Sequence, residues 1–230
     1  MKVVLFDIDG TLLWTDGAGR RAVHQALADV FGALPPEDHE FDGKTDPQIV
    51  RELMRLAGVA DDAIDANLPE ALRRYVELLH LELGGDNHTD KTYPGIAPLL
   101  DALEARTDVL LGLLTGNVHD GAFAKLAAVG LDGSRFKVGA FGSDHALRAE
   151  LPAIARARAE ALLGHAVSGN DVVVIGDTPS DMSCGNGIGA RAIGVATGRY
   201  SVAALGACNP AAVFANLSDT AAVMRAILGE

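Results

Sequence analysis

A chain of 230 residues that is 49% hydrophobic and 22% charged has the apolar content of a folded protein and lies outside the composition of a disordered one. The formal net charge of −12 argues against a general nucleic-acid binder, which carries a basic excess. It still allows a small anionic substrate, because local cations and a bound metal override the global field. Two cysteines, Cys184 and Cys208, are too few for a disulfide framework and read as cytosolic thiols. No apolar run approaches membrane-spanning length, and a single Lys followed by a strand carrying acids is not a secretory leader. The expectation is a soluble cytoplasmic protein, monomer or homodimer, that binds neither nucleic acid nor membrane.

Val3 to Phe6 is an unbroken apolar run, the pattern of a strand buried on both faces of a parallel sheet. It leads straight into Asp7-Ile8-Asp9-Gly10-Thr11. Extended backbone puts Asp7 and Asp9 on one side, where two carboxylates need a cation, a shared proton or hydration. Asp-Gly is also a strong turn dipeptide, so the rest of the chain decides between a hairpin and a site.

The spacing predicts a helix over 17–31, with Val23, Leu27, Val30 and Phe31 on one stripe, broken by Pro35-Pro36. A second helix follows the loop from Phe41 to Thr45. Asp46 is its expected N-cap, Pro47 its first residue, Ile49, Leu53, Met54 and Leu56 its apolar face, and Gly58 its stop. A third runs from about Pro69 through Leu72, Tyr75, Val76, Leu79 and Leu83 to Gly84-Gly85. Residues 86–92 are polar and resemble a linker.

The pattern then changes. A helix carrying Ile96, Leu99, Leu100 and Leu103 precedes a strand ending at Thr115, and Gly116-Asn117 turns into another helix that reaches Gly130. A strand near 136–141 and a helix from Arg148 to Leu163, with Leu151, Ile154 and Leu162 inward, lead to the buried strand Asp171 to Asp177. Thr178-Pro179-Ser180-Asp181 opens the next helix with a cap, a proline and an acid. Strands at 192–195 and 211–214 and a helix capped by Ser218 complete the chain. Alternating strands and helices imply an α/β fold with a parallel sheet and right-handed crossovers. Residues 1–14 and 91–230 form its core, and 15–90 an all-helical insertion after the first strand.

Ligands of open parallel sheets bind beyond the carboxyl ends of the strands. Three strands here end in polar groups: Asp7 and Asp9, then Thr115-Gly116-Asn117, then Asp177 with Asp181 a turn later. Hard oxygen donors of this kind suit Mg²⁺ together with substrate phosphate oxygens. The seven histidines are scattered, without zinc spacing.

In these motifs the sequence resembles the haloacid-dehalogenase superfamily of hydrolases, and most of all its phosphoglycolate-phosphatase-type members with a helical cap. Asp7-Ile8-Asp9-Gly10-Thr11 is similar to that family's first motif, Leu114-Thr115-Gly116-Asn117 to its second and Gly176-Asp177-Thr178-Pro179-Ser180-Asp181 to its fourth. The third is usually a Lys, and Arg148 stands in that region instead. Arg can neutralise phosphate and an aspartate through its fork.

The resemblance implies a Rossmann-like core, a helical cap and a Mg²⁺-dependent phosphatase acting on a small phosphorylated metabolite. Asp7 would be the nucleophile, and Asp9 the general acid and then base. Asp at the second position disfavours halide displacement. Asp7, the Asp9 carbonyl and Asp177 would hold Mg²⁺, with Asp181 acting through water or as a helix cap. Gly10, Thr11, Thr115, Gly116, Asn117 and Arg148 would surround the phosphoryl group. Lys44 and Thr45 lie where relatives place specificity residues, although a solvent-facing loop is the plainer expectation. Arg20 reads as a surface residue that could meet substrate, Trp14 as hinge packing and His119 as a first-turn residue. Gly185-Asn186-Gly187-Ile188-Gly189 has the wrong spacing and context for a dinucleotide loop. The competing expectations are a β-phosphoglucomutase-like isomerase and a catalytically inactive phospho-ligand-binding module.

Overall fold

The computed structural model describes residues 1–85 and 91–230. Along the chain run β1 (Lys2–Phe6), β2 (Leu13–Trp14), α1 (Ala18–Phe31), α2 (Asp46–Leu56), α3 (Asp61–Leu83), β3 (Lys91–Thr92), α4 (Ile96–Glu104), β4 (Val109–Leu114) and α5 (His119–Ala128). They are followed by β5 (Val138–Ala140), α6 (Leu151–Leu163), β6 (Val172–Gly176), α7 (Pro179–Cys184), β7 (Arg191–Val195), α8 (Val202–Gly206), β8 (Ala212–Phe214) and α9 (Thr220–Leu228).

Six strands form one parallel sheet in the order β5-β4-β1-β6-β7-β8. The run Val3 to Phe6 behaves as its apolar pattern requires. Every side chain in it is fully buried, and successive residues alternate between two cores. Val4 and Phe6 pack with Leu111, Leu113, Val173 and Ile175 under α4, α5 and α9. Val3 and Leu5 face the opposite layer, with Leu110, Val172, Val174 and, from α6, Leu151, Ala155 and Ala159. Truncating Phe6 to Ala at such a site costs about 3–5 kcal/mol, so this strand fixes the frame that carries the acids.

Helices α1 to α3 bury a third cluster, built from Val23, Leu27, Ile49, Leu53, Met54, Ile64, Tyr75 and Leu79. Val118 and Ala124 beside and within α5 complete it, so this helical lobe rests on the helix that follows β4. Its two ends are tied by an antiparallel ribbon, in which Leu13 pairs with Thr92 and Trp14 with Lys91. The residues expected as a linker therefore include strand β3; those at 86–90 lie outside the described residues.

Several expected boundaries move. Helix α1 stops at Gly32, which takes a left-handed φ of 65° before the prolines are reached. The N-cap of α2 is Thr45, not Asp46: the extended Thr45 turns its hydroxyl back to accept the Gln48 N–H at 3.2 Å, leaving Asp46 as the first helical residue. Helix α3 starts at Asp61 and carries Pro69 inside it, because Ile64 anchors its first turns in the same cluster that holds Ala71 and Tyr75. Leu56 and Leu162 are exposed, not inward, and Ala18, Ala22 and Ala26 take most of the buried stripe of α1. Arg148 to Glu150 is a 3-10 turn ahead of α6, and Asp219 instead of Ser218 caps α9. Among the described residues no helix is long and apolar enough to cross a membrane.

Candidate active site

Strand order reverses at β1, which lies between β4 and β6. A crevice opens at such a switch point beyond the strand ends. Asp7 follows β1, Thr115 follows β4 and Asp177 follows β6, so the topology alone brings three separate stretches of sequence to one place.

Carboxylate oxygens of Asp7, Asp177 and Asp181 lie within 4.8 Å of one another, all three buried. Burial pushes Asp7 up to about 6; Arg148 pulls it down, while Asp181 and Asp9 push it further up. Asp177 is driven to about 9 by burial and then by Asp181 and Asp7, with only a Thr11 hydroxyl at 3.1 Å and Arg148 opposing. Arg148, also buried, supplies one positive charge to these three acids. Its Nη2 lies 3.2 Å from Asp7 and donates to Asp181. The excess negative charge and the all-oxygen donor set fit a hard divalent cation such as Mg²⁺. Asp181 is the most committed of the three. One oxygen pairs with Arg148, and the other accepts the Thr178 N–H at 3.0 Å and hydroxyl at 2.6 Å in a capping box.

A consequence concerns pH. An acid whose folded value is raised favours the folded state while protonated and loses that preference as pH rises. The metal-free protein is therefore expected to lose stability from about pH 4 towards about pH 9, Asp7 and Asp46 accounting for the lower part and Asp177 for the rest. Added Mg²⁺ should raise Tm more at pH 8.5 than at pH 5.5, which thermal melts across pH would check; an equal rise at both would contradict it.

The second strand end is polar in a different way. Thr115 Oγ1 accepts the Asn117 backbone N–H at 3.3 Å and its side-chain Nδ2 at 2.8 Å, which leaves the hydroxyl hydrogen free to donate. Asn117 Nδ2 also donates to Asp9 at 2.7 Å. Lys125, absent from the expected set, reaches both Asp9 oxygens at 2.9 and 2.7 Å. Its signal in sequence was its register: Gly121, Ala122 and Lys125 share the buried stripe of α5, where a lysine is out of place unless it is paired. Asp46 was misassigned. It is buried, accepts the Val118 N–H at 2.7 Å and is pushed up to about 6, chiefly by burial.

Two glycines are required by close approach. Gly10 has φ +81°, and a Cβ there would run into the Asp177 carboxylate. A Cβ on Gly116 would strike the Lys44 carbonyl, in the loop where the Asp46 N–H also donates to Gly116 O at 2.8 Å. Gly116→Ala is thus expected to push the 43–46 loop off the sheet edge, raising KM by about tenfold or more and lowering Tm; steady-state kinetics with a melt would check both.

These groups line a cavity of about 220 Å³, with Asp7, Asp9, Thr115, Asn117, Arg148 and Asp177 from the sheet side. Arg20, Phe41, Lys44 and Tyr75 face them from the helical lobe. Lys44 does line the cavity, but its charge is met by Glu52 at 2.6 Å. Arg20 lies 3.9 Å over the Phe41 ring and donates to the Glu37 and His39 carbonyls. Trp14, half exposed and part of the ribbon, lines the cavity. His119 packs against Phe123 and Phe141, outside this cavity, and Gly185–Ile188 forms a 3-10 turn. The volume is below the roughly 300–1,000 Å³ of drug-sized sites.

A family model described as haloacid dehalogenase-like hydrolase matches residues 1–189. Among solved structures, a hydrolase from Pseudomonas syringae is 19% identical over 99% of both chains, with a TM-score of 0.70. A predicted phosphoglycolate phosphatase from Haemophilus somnus 129PT is 20% identical over 97% of this chain and 98% of its own, with a TM-score of 0.70. CbbY from Rhodobacter sphaeroides in complex with phosphate is 21% identical over 95% and 96%, with a TM-score of 0.64. No curated protein matches the chain. The structural likenesses establish a shared fold. With the family match over most of the chain and three of that family's motifs gathered at one switch point, the chain belongs to the haloacid dehalogenase-like hydrolases.

Proposed function

We propose that this hydrolase is a Mg²⁺-dependent phosphatase that cleaves a small phosphomonoester through an aspartyl-phosphate on Asp7. One observation carries the proposal: Asp7, Asp177 and Asp181 converge with Arg148 beside Thr115 at the switch point, a set of groups suited to a metal and a phosphoryl group together. Mg²⁺, held by the Asp7 carboxylate, the Asp9 carbonyl and Asp177, would supply charge neutralisation to the transferring phosphoryl oxygens.

The remaining chemistry belongs to side chains. An Asp7 oxygen attacks phosphorus; the bond to the ester oxygen breaks, and that oxygen takes a proton from Asp9. Arg148 holds Asp7 in place and meets phosphoryl charge, and the Thr115 hydroxyl donates to a phosphoryl oxygen. Asp9, now ionised, takes a proton from water. The resulting hydroxide cleaves the acyl phosphate, releasing phosphate and restoring Asp7. Residues 15–90 act as a cap over the core formed by 1–14 and 91–230, and exclude bulk water while the ester is bound. A cavity of about 220 Å³, lined on one side by residues of that cap, favours a small metabolite over a phosphoprotein.

The test is phosphate release from a library of sugar, glycolate and other small phosphate esters. Turnover that is lost with EDTA and restored by Mg²⁺ supports the proposal. Isomerisation of a sugar phosphate without phosphate release, or no turnover of any ester, would contradict it.

A further inference from the structure

Lys125 carries a second inference. Its side chain is 6% exposed, and its ammonium has three hydrogens for three acceptors: Asp9 Oδ1 at 2.9 Å, Asp9 Oδ2 at 2.7 Å and Asn117 Oδ1 at 2.7 Å. Asn117 Nδ2 closes the ring by donating to Asp9 Oδ2 at 2.7 Å. The Asp9 side chain is itself 41% exposed, towards the cavity, so these two residues are what hold its orientation. Room for the ammonium comes from α1. A Cβ on Gly19 would lie 3.1 Å from Lys125 Nζ and 3.4 Å from Cε, tighter than ordinary contact.

We propose that Lys125, steadied by Asn117 and given room by Gly19, is the positioning residue for Asp9, fixing the angle from which its carboxyl exchanges protons with the leaving oxygen and then with water. This rests on Asp9 acting as acid and base in the reaction above. When Asp9 carries the proton, one oxygen is O–H and turns to the ester oxygen, while the other keeps its hydrogen bond to Lys125. Proton transfer and P–O cleavage then move one proton and one electron pair to the leaving oxygen. A free rotor would spend most of its time at other angles, and a misplacement on the order of 1 Å costs about 100-fold in rate.

Leaving-group dependence separates this from a merely structural role. Phenolate is a stronger base than p-nitrophenolate and needs the Asp9 proton more. Lys125→Met should lower kcat/KM for phenyl phosphate by about 100-fold, and for p-nitrophenyl phosphate by at least about tenfold less. In the Asp9→Asn background the same substitution should add less than about twofold. Lys125→Gln, which keeps a donor, and Gly19→Ala, which crowds Nζ, should show the same ester dependence at smaller size, and carry the test if Lys125→Met does not fold. Equal losses on both esters, or losses additive with Asp9→Asn, would overturn the proposal and leave the phosphatase intact. Wild-type turnover and its loss in Asp7→Asn report on the phosphatase alone; no wild-type turnover removes both.

Discussion

Asp7→Asn is expected to abolish Mg²⁺-dependent phosphate release, lowering kcat/KM by at least about 10⁴-fold, because under the proposed mechanism it removes the attacking oxygen. The fold is expected to survive the change. Burial raises Asp7 to about 6, so above that pH the metal-free protein carries an ionised carboxylate that its surroundings disfavour. Asn imitates the protonated shape without the charge. Metal-free Asp7→Asn at pH 8 should therefore melt at the wild-type temperature or above it, while Mg²⁺ raises its Tm less than it raises the wild type's. An inactive variant that melts far below the wild type would point to a structural role for Asp7.

Arg148→Ala is expected to differ, losing both activity and stability. Arg148 Nη2 bridges Asp7 and Asp181 and reaches the Leu114 carbonyl at 3.4 Å. Removing one partner of a buried ion pair leaves the other charges uncompensated, at a cost of about 3–5 kcal/mol. The metal-free protein feels this most, because Asp177 is already pushed up to about 9 by its acidic neighbours. Denaturant unfolding with and without Mg²⁺ checks it: the destabilisation should shrink when the ion is present. Arg148→Lys keeps the charge but not the fork, and should recover most of the stability and part of the rate. If Arg148→Ala unfolded like the wild type, the guanidinium would have to be a surface group, which its burial contradicts.

The fold was legible because buried strands of a parallel sheet write themselves as unbroken apolar runs, as in Val3 to Phe6 and Val172 to Ile175. The acids at their ends were legible for a related reason. Asp7 and Asp177 contrast sharply with the apolar residues just before them, and strand ends have a known place in such sheets. Helical boundaries were harder. Pro69 lies inside α3 because tertiary burial of Ile64 and Tyr75 outweighs one missing backbone bond, and no local signal reports that. Asp46 has the form of a cap, yet a threonine one position earlier takes that work and frees the acid for the Val118 N–H, a partner 72 residues away.

Lys125 was hidden for the same reason: its partners, Asp9 and Asn117, lie 116 and 8 residues distant, and Gly19 is on another helix again. The register of α5 alone marked it. Arg148 lies against Asp7 and Asp181, and its local setting is a 3-10 turn and not the first turn of α6. Lys44 shows the converse. It lines the cavity as its position suggested, but Glu52 and His39 already hold its ammonium.

The proposed mechanism depends on a covalent phosphoryl group passing through Asp7. Rapid-quench trapping with an ester labelled in its phosphoryl group, followed directly by peptide mapping, tests that. Label on Asp7 that forms in the first turnover and is lost to water in the second half-reaction is the expected result. Phosphate release at the same rate with no label on Asp7, or with label on a serine or histidine, would contradict it.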